Sequence, residues 1–123
     1  MRCLLIAGTV LLLAGCGSDE AASGGLAALT VRVDDGAGAP RELQLECAQP
    51  TDSSACGAAA GVSAADLAPT PEDTMCTQIY GGPEKATIKG TLRGETIDAA
   101  FNRTNGCEID RWERVQPLLD EVR

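Results

Sequence analysis

Apolar and polar positions alternate along four stretches of the chain. Leu29-Thr30-Val31-Arg32-Val33 is the first, and residues 41–47 follow with Leu43, Leu45 and Cys47 on one face. Residues 86–92 and 95–101 make a second pair. A period of two places the apolar side chains of a run on one side of an extended backbone, so each run predicts a half-buried strand. Asp34-Asp35-Gly36-Ala37-Gly38-Ala39-Pro40 is turn chemistry, which makes the first two strands an antiparallel pair. Arg93-Gly94 reads as the tight turn of a hairpin. Residues 55–67 are alanine-rich and predict a helix, broken at Gly61 and restarted with Ser63 as N-cap. Pro69 and Pro71 end it. Asn105-Gly106 reads as a turn, and residues 108–115 predict a helix with Ile109 and Trp112 on one side. Elements in this order predict an α+β fold: one antiparallel sheet with helices on a face.

The first residues have a different pattern. After Met1-Arg2, residues 4–13 are apolar, too few for the ~20 residues that span a bilayer. This is the signature of a secretory signal. Leu13-Ala14-Gly15-Cys16 resembles a bacterial lipobox, in which the peptide before the cysteine is removed and its thiol carries diacylglycerol. Three regions are therefore expected: a signal peptide (1–15), the lipidated Cys16 with a small, polar tether (16–25), and one folded domain (26–123). The expected location is extracytoplasmic, anchored by lipid to a bacterial membrane.

Charge and composition narrow the chemistry. Net charge is −8, with 18 acidic and 10 basic residues. Such a chain is a poor ligand for a phosphate backbone, so no nucleic-acid partner is expected. There is no histidine, which removes Ser-His-Asp and Cys-His nucleophiles and histidine metal ligands. No other nucleophile–base pair or metal cluster stands out, and the expectation is a non-enzyme without cofactor or metal. Asp34-Asp35 and Glu72-Asp73 read as solvated surface charge. The apolar content is rich in alanine, and the core left for the domain is thin. Small domains with thin cores usually need covalent staples.

Cysteine supplies them. Beyond Cys3 in the signal and Cys16 at the anchor stand Cys47, Cys56, Cys76 and Cys107. Their spacing lacks the Cys-x2-Cys pair of a zinc knuckle. An even number in an exported domain reads as two disulfides, with three pairings open. Sequential pairing would close loops of about 10 and 32 residues, contributing roughly 2.7 and 3.7 kcal/mol by loop entropy.

One segment suits recognition: Met75-Cys76-Thr77-Gln78-Ile79-Tyr80-Gly81-Gly82-Pro83. A cysteine ties one end and Gly-Gly-Pro braces the other before a strand. A loop ordered in advance binds at lower entropic cost, and an extended one can dock as an added strand.

Together, Leu29-Thr30-Val31, Arg41-Glu42-Leu43-Gln44-Leu45-Glu46-Cys47, Ser54-Ala55-Cys56, Met75-Cys76, Tyr80, Phe101 and Asn105-Gly106-Cys107-Glu108 resemble the Streptomyces subtilisin inhibitor family. The resemblance covers roughly residues 26–112. It implies a sandwich with a five-stranded antiparallel sheet, two short helices on one side, sequential disulfides and a homodimer. It also implies inhibition of subtilisin-like serine proteases by a substrate-like loop that is cut slowly and resealed. By position, Cys76 anchors that loop, Gln78 is the primary specificity residue, Gln78–Ile79 is the scissile bond, and Thr77 and Tyr80 flank it. Thr77 stands where the best-known members have proline. Gly81-Gly82-Pro83 replaces an Asp-Pro step, and the tail from Arg111 to Arg123 is longer. The competing expectation is a cell-surface binding lipoprotein that keeps this fold without inhibiting proteases.

Overall fold

The computed structural model describes residues 25–123. The expected signal peptide, the acylated Cys16 and the tether up to residue 24 lie outside the described residues.

All four alternating runs are strands: β1 (Ala27–Asp34), β2 (Arg41–Cys47), β3 (Lys85–Leu92) and β4 (Glu95–Phe101). They form one antiparallel sheet in the order β2-β1-β3-β4. The register aligns the apolar faces. Leu29 lies opposite Leu45, Val31 opposite Ile88, Ile88 opposite Ala99, and Ala86 opposite Phe101. A slip of one residue would turn each apolar set to solvent, so the buried face enforces this pairing. The other face is polar, with Arg32 opposite Glu42 and Lys89 opposite Asp98.

Helices cover the apolar face. They are α1 (Ser54–Ala60), α2 (Ala64–Leu67) and α3 (Gly106–Asp120), with a 3-10 turn (Pro50–Asp52) before α1. The predicted break at Gly61 occurs, and Ser63 caps α2 by accepting from the Asp66 amide, while Asp66 accepts from the Ser63 amide at 2.9 Å. The β3–β4 hairpin turns at Arg93 (φ 49°) and Gly94 (φ 81°), the two positive φ angles of a type I′ turn. Arg93 offsets its backbone strain with contacts: its guanidinium donates to the carbonyls of Ala60 and Val62, which leave α1.

Several expectations need correction. The sheet has four strands among the described residues, where the family resemblance implied five. Residues 68–84 are the long stretch outside helix and strand, and Pro69, Pro71 and Pro83 lack the N–H that a ladder needs. Among the described residues the helices number three where two were expected, and α3, expected to be short and to stop near Val115, runs for 15 residues. Pro117 lies inside it, and an interior proline costs about 3 kcal/mol. Leu118 and Leu119 beyond it are both 0% exposed, each worth about 1.5–3 kcal/mol of burial. Burial wins, and the tail is part of the core. Asn105-Gly106 is likewise the start of α3: Asn105 is the N-cap, accepting from the Glu108 amide at 3.0 Å, and Gly106 is its first residue.

Both disulfides are sequential, Cys47–Cys56 and Cys76–Cys107. The first lies in the core beside α1, and the second ties the 68–84 segment to the first turn of α3.

Candidate functional site

From Ala68 to Glu84 the chain has no helix or strand, yet both of its arms are tied down. Ordered loops of this length in small domains are uncommon and usually functional. The entering arm is held by Arg111. Its Nε donates to the carbonyl of Ala68 at 2.9 Å, and its Nη1 donates to the carbonyl of Ala100 at 3.1 Å and to Glu108 Oε2 at 2.8 Å. Glu108 Oε1 in turn accepts from the Thr70 hydroxyl at 2.8 Å. The guanidinium lies over the Phe101 ring, 4.6 Å from its centroid. Arg111 is the buried charged residue of the described chain, and these partners satisfy it. The sequence offered no signal for this network, since its members come from three separate segments.

The centre of the loop carries the five predicted residues. Cys76 is half-buried in its disulfide with Cys107, at a Cα separation of 5.3 Å. The Thr77 carbonyl accepts from the Gly106 amide at 2.9 Å. That amide belongs to the first turn of α3, where helices leave donors without internal partners. The loop therefore completes the helix terminus. A Cβ on Gly106 would strike the Thr77 hydroxyl, so a larger residue there would force the Thr77 side chain to move.

Past the centre, the Gly81 amide donates to the Arg103 carbonyl at 2.7 Å. A Cβ on Gly81 would lie 2.9 Å from Ile109 Cδ1, so a larger residue there would push the Ile109 side chain aside. The Arg103 side chain reaches Glu84 Oε1 at 3.4 Å, with the two side chains 30% and 23% exposed. Arg103, Gly106, Gly81 and Glu84 were not among the predicted site residues. The short Asn-Arg-Thr-Asn-Gly-Cys stretch holds the clue only when one knows that it lies beside the loop.

Between the two anchors, Gln78, Ile79 and Tyr80 make no backbone hydrogen bond among the described residues. Ile79 is 58% and Tyr80 67% exposed, and Met75 at the head of the loop is 97% exposed. Exposed large apolar groups are informative when they cluster on one segment. These are the three such residues of the described chain, and all lie within six positions. The Gln78 side chain turns back to donate to the Cys76 carbonyl at 3.3 Å. The site thus offers unpaired N–H and C=O groups with apolar side chains beside them, held on a rigid base. An enzyme cleft that binds extended chains can pair with such a segment as with a strand.

No group of three or more Cys, Asp or Glu among the described residues is placed to hold a metal ion. An open groove of about 340 Å³ runs beside the loop, between Pro69, Pro71 and Thr74 on one wall and Asp110 and Arg114 on the other. Asp110 and Arg114 pair with each other at 2.5 Å across one helical turn.

No protein-family model matches the chain, and no curated protein or solved structure matches it either.

Proposed function

We propose that this chain is a proteinaceous inhibitor: a rigid scaffold that presents a substrate-like loop to a protease. More particularly, we infer an inhibitor of subtilisin-like serine proteases, with Gln78–Ile79 as the reactive bond, held outside the cell membrane by acyl chains on Cys16. One observation carries the reading. The three-residue stretch 78–80 is bare of backbone bonds, while the residues on both sides of it are fastened to one scaffold. A floppy loop would be cut as a substrate, whereas a fastened one binds with little loss of conformational freedom. The family resemblance supports the same loop and the same bond. Two disulfides in so small a domain fit an oxidising compartment, in line with export and anchoring.

Specificity follows from Gln78. A long neutral side chain suits a broad pocket and lacks the positive charge that an aspartate-based pocket selects. Thr77 leaves φ less restricted than proline would, and its carbonyl bond to Gly106 supplies restraint in its place.

Titration of subtilisin with the full chain, with mass spectrometry of the Gln78–Ile79 bond, tests the reading. Inhibition below micromolar concentration with slow cutting is expected. No inhibition at that level, together with rapid ordinary cleavage, would sink it. Gln78→Lys should then gain trypsin inhibition. A variant that trypsin ignores would show that Gln78 does not occupy the specificity position.

A further inference from the structure

The loop has two arms, and a cut between Gln78 and Ile79 would separate them. The Cys76 arm is held covalently by Cys107 and through Thr77 by the Gly106 amide. The Ile79 arm has no covalent tie near the cut. Its nearest fastening is the Gly81 amide on the Arg103 carbonyl, two residues away. Both fastenings end on one short stretch, residues 103–107. That stretch is stiffened in turn: Asn102 Oδ1 accepts from the Thr104 amide at 3.0 Å and from its hydroxyl at 2.7 Å, and Asn105 caps α3.

We propose that residues 103–107 are the clamp that allows the cut bond to reseal, and that Glu84 and Arg103 are positioning residues for the Ile79 arm. This rests on the inhibitor reading above. In the cut, the protease's serine oxygen bonds to the Gln78 carbonyl carbon and the C–N bond to Ile79 breaks. The proton of the serine hydroxyl passes through the enzyme's base to the Ile79 nitrogen, which leaves as a primary amine. Resealing is the reverse. The amine's electron pair attacks the ester carbon, the C–O bond to serine breaks, and the proton returns to serine. Hydrolysis by water competes for the same ester. The outcome depends on how closely the Ile79 amine is kept to it, because a held reactant can act as if at very high concentration.

Arg103 controls that placement from two sides. Its carbonyl holds Gly81, and its guanidinium holds Glu84, the last residue before β3. Both partners belong to the Ile79 arm, so this arm grips Arg103 at main chain and side chain together. Arg103 Nε and Glu84 Oε2 are buried without a partner among the described residues. The side chains are mostly buried, at 30% and 23% exposed, so removing one member takes from the other its charged partner.

The test uses the full chain and subtilisin, comparing Arg103→Met, Glu84→Gln and the exchange Glu84→Arg with Arg103→Glu. Two readouts are followed: the rate at which Gln78–Ile79 is lost within the complex, and the cut-to-intact ratio at equilibrium. Each single variant should lose the bond faster by on the order of 10- to 100-fold and shift the ratio towards cut chain, and the exchange should recover much of the loss. Amide exchange separates placement from unfolding. The Gly81 amide should exchange faster in the variants while the Gly106 amide stays protected. If the unmodified chain inhibits and the single variants reseal as well as it does, the clamp proposal fails and the inhibitor reading stands. Equal loss of protection at Gly81 and Gly106 would also overturn it, as general loosening. A chain that does not inhibit at all overturns both.

Discussion

Cys47–Cys56 joins the end of β2 to α1, and its two residues are 3% and 1% exposed. Cys76–Cys107 joins the loop to α3, and both residues are only half-buried. Loop entropy ranks the second higher, because it closes a separation of 31 residues rather than 9. Packing reverses the ranking. The buried sulfurs fill space in a core built around Val31, Ile88, Trp112 and Val115, so losing them adds a cavity to the entropy term. The half-buried bridge lies outside the core cluster, so losing it costs mainly the entropy term. Two chemically identical bonds thus serve different ends: one completes the core, and the other fixes the shape of a surface loop.

Breaking each bridge in turn gives the largest effects. Cys47→Ala with Cys56→Ala should cost about 3–5 kcal/mol, near the top of the range for a native disulfide, and should broaden or abolish cooperative unfolding in denaturant. Cys76→Ser with Cys107→Ser should cost less, about 2–4 kcal/mol, and leave the buried Trp112 in its native environment by near-ultraviolet circular dichroism. The same variant should turn the loop into an ordinary substrate cut at Gln78–Ile79. If the two pairs proved equally destabilising, the distinction between core and loop bridge would be wrong.

Smaller changes sharpen the contrast. Asn105→Ala removes the cap of α3 beside the loop bridge and should cost about 1 kcal/mol, read as a lower denaturation midpoint with unchanged slope. It should also weaken protection of the Gly106 amide, since that donor shares the same helix terminus. The smallest effect belongs to the scaffold far from the loop. Hydrogen bonds from the Ser63 amide, then from its hydroxyl, hold the Asp66 carboxyl below its ordinary value of 3.8. A depressed carboxyl contributes stability that is present above the unfolded value and lost as pH falls through the folded one. The melting temperature followed from about pH 5 downwards should therefore fall slightly more for the unmodified chain than for Asp66→Asn. Asp66 is only half-buried, so solvent screening keeps the difference small, and the loop amides should not report it.

Some features were legible because they are local. Alternation in residues 29–33, 41–47, 86–92 and 95–101 predicted all four strands, and Arg93-Gly94 predicted their second hairpin. The break at Gly61 and the cap at Ser63 were legible for the same reason. The fifth strand came from resemblance, and no alternating run of this chain supplies it. The extent of α3 was misjudged because the gain from burying Leu118 and Leu119 depends on the sheet they meet, which no local pattern reports.

The loop divides along the same line. The chain by itself determined its content: a cysteine at one end, Gly-Gly-Pro at the other, and Thr77, Gln78, Ile79 and Tyr80 between, because composition and spacing are properties of neighbours in sequence. Tertiary structure alone decided what holds it. Gly81 meets Arg103, Thr77 meets Gly106, and Ala68 meets Arg111 across separations of 22 to 43 residues. Those meetings exist because the sheet and α3 bury their apolar faces together, and the polar residues at their rims are carried into register with the loop.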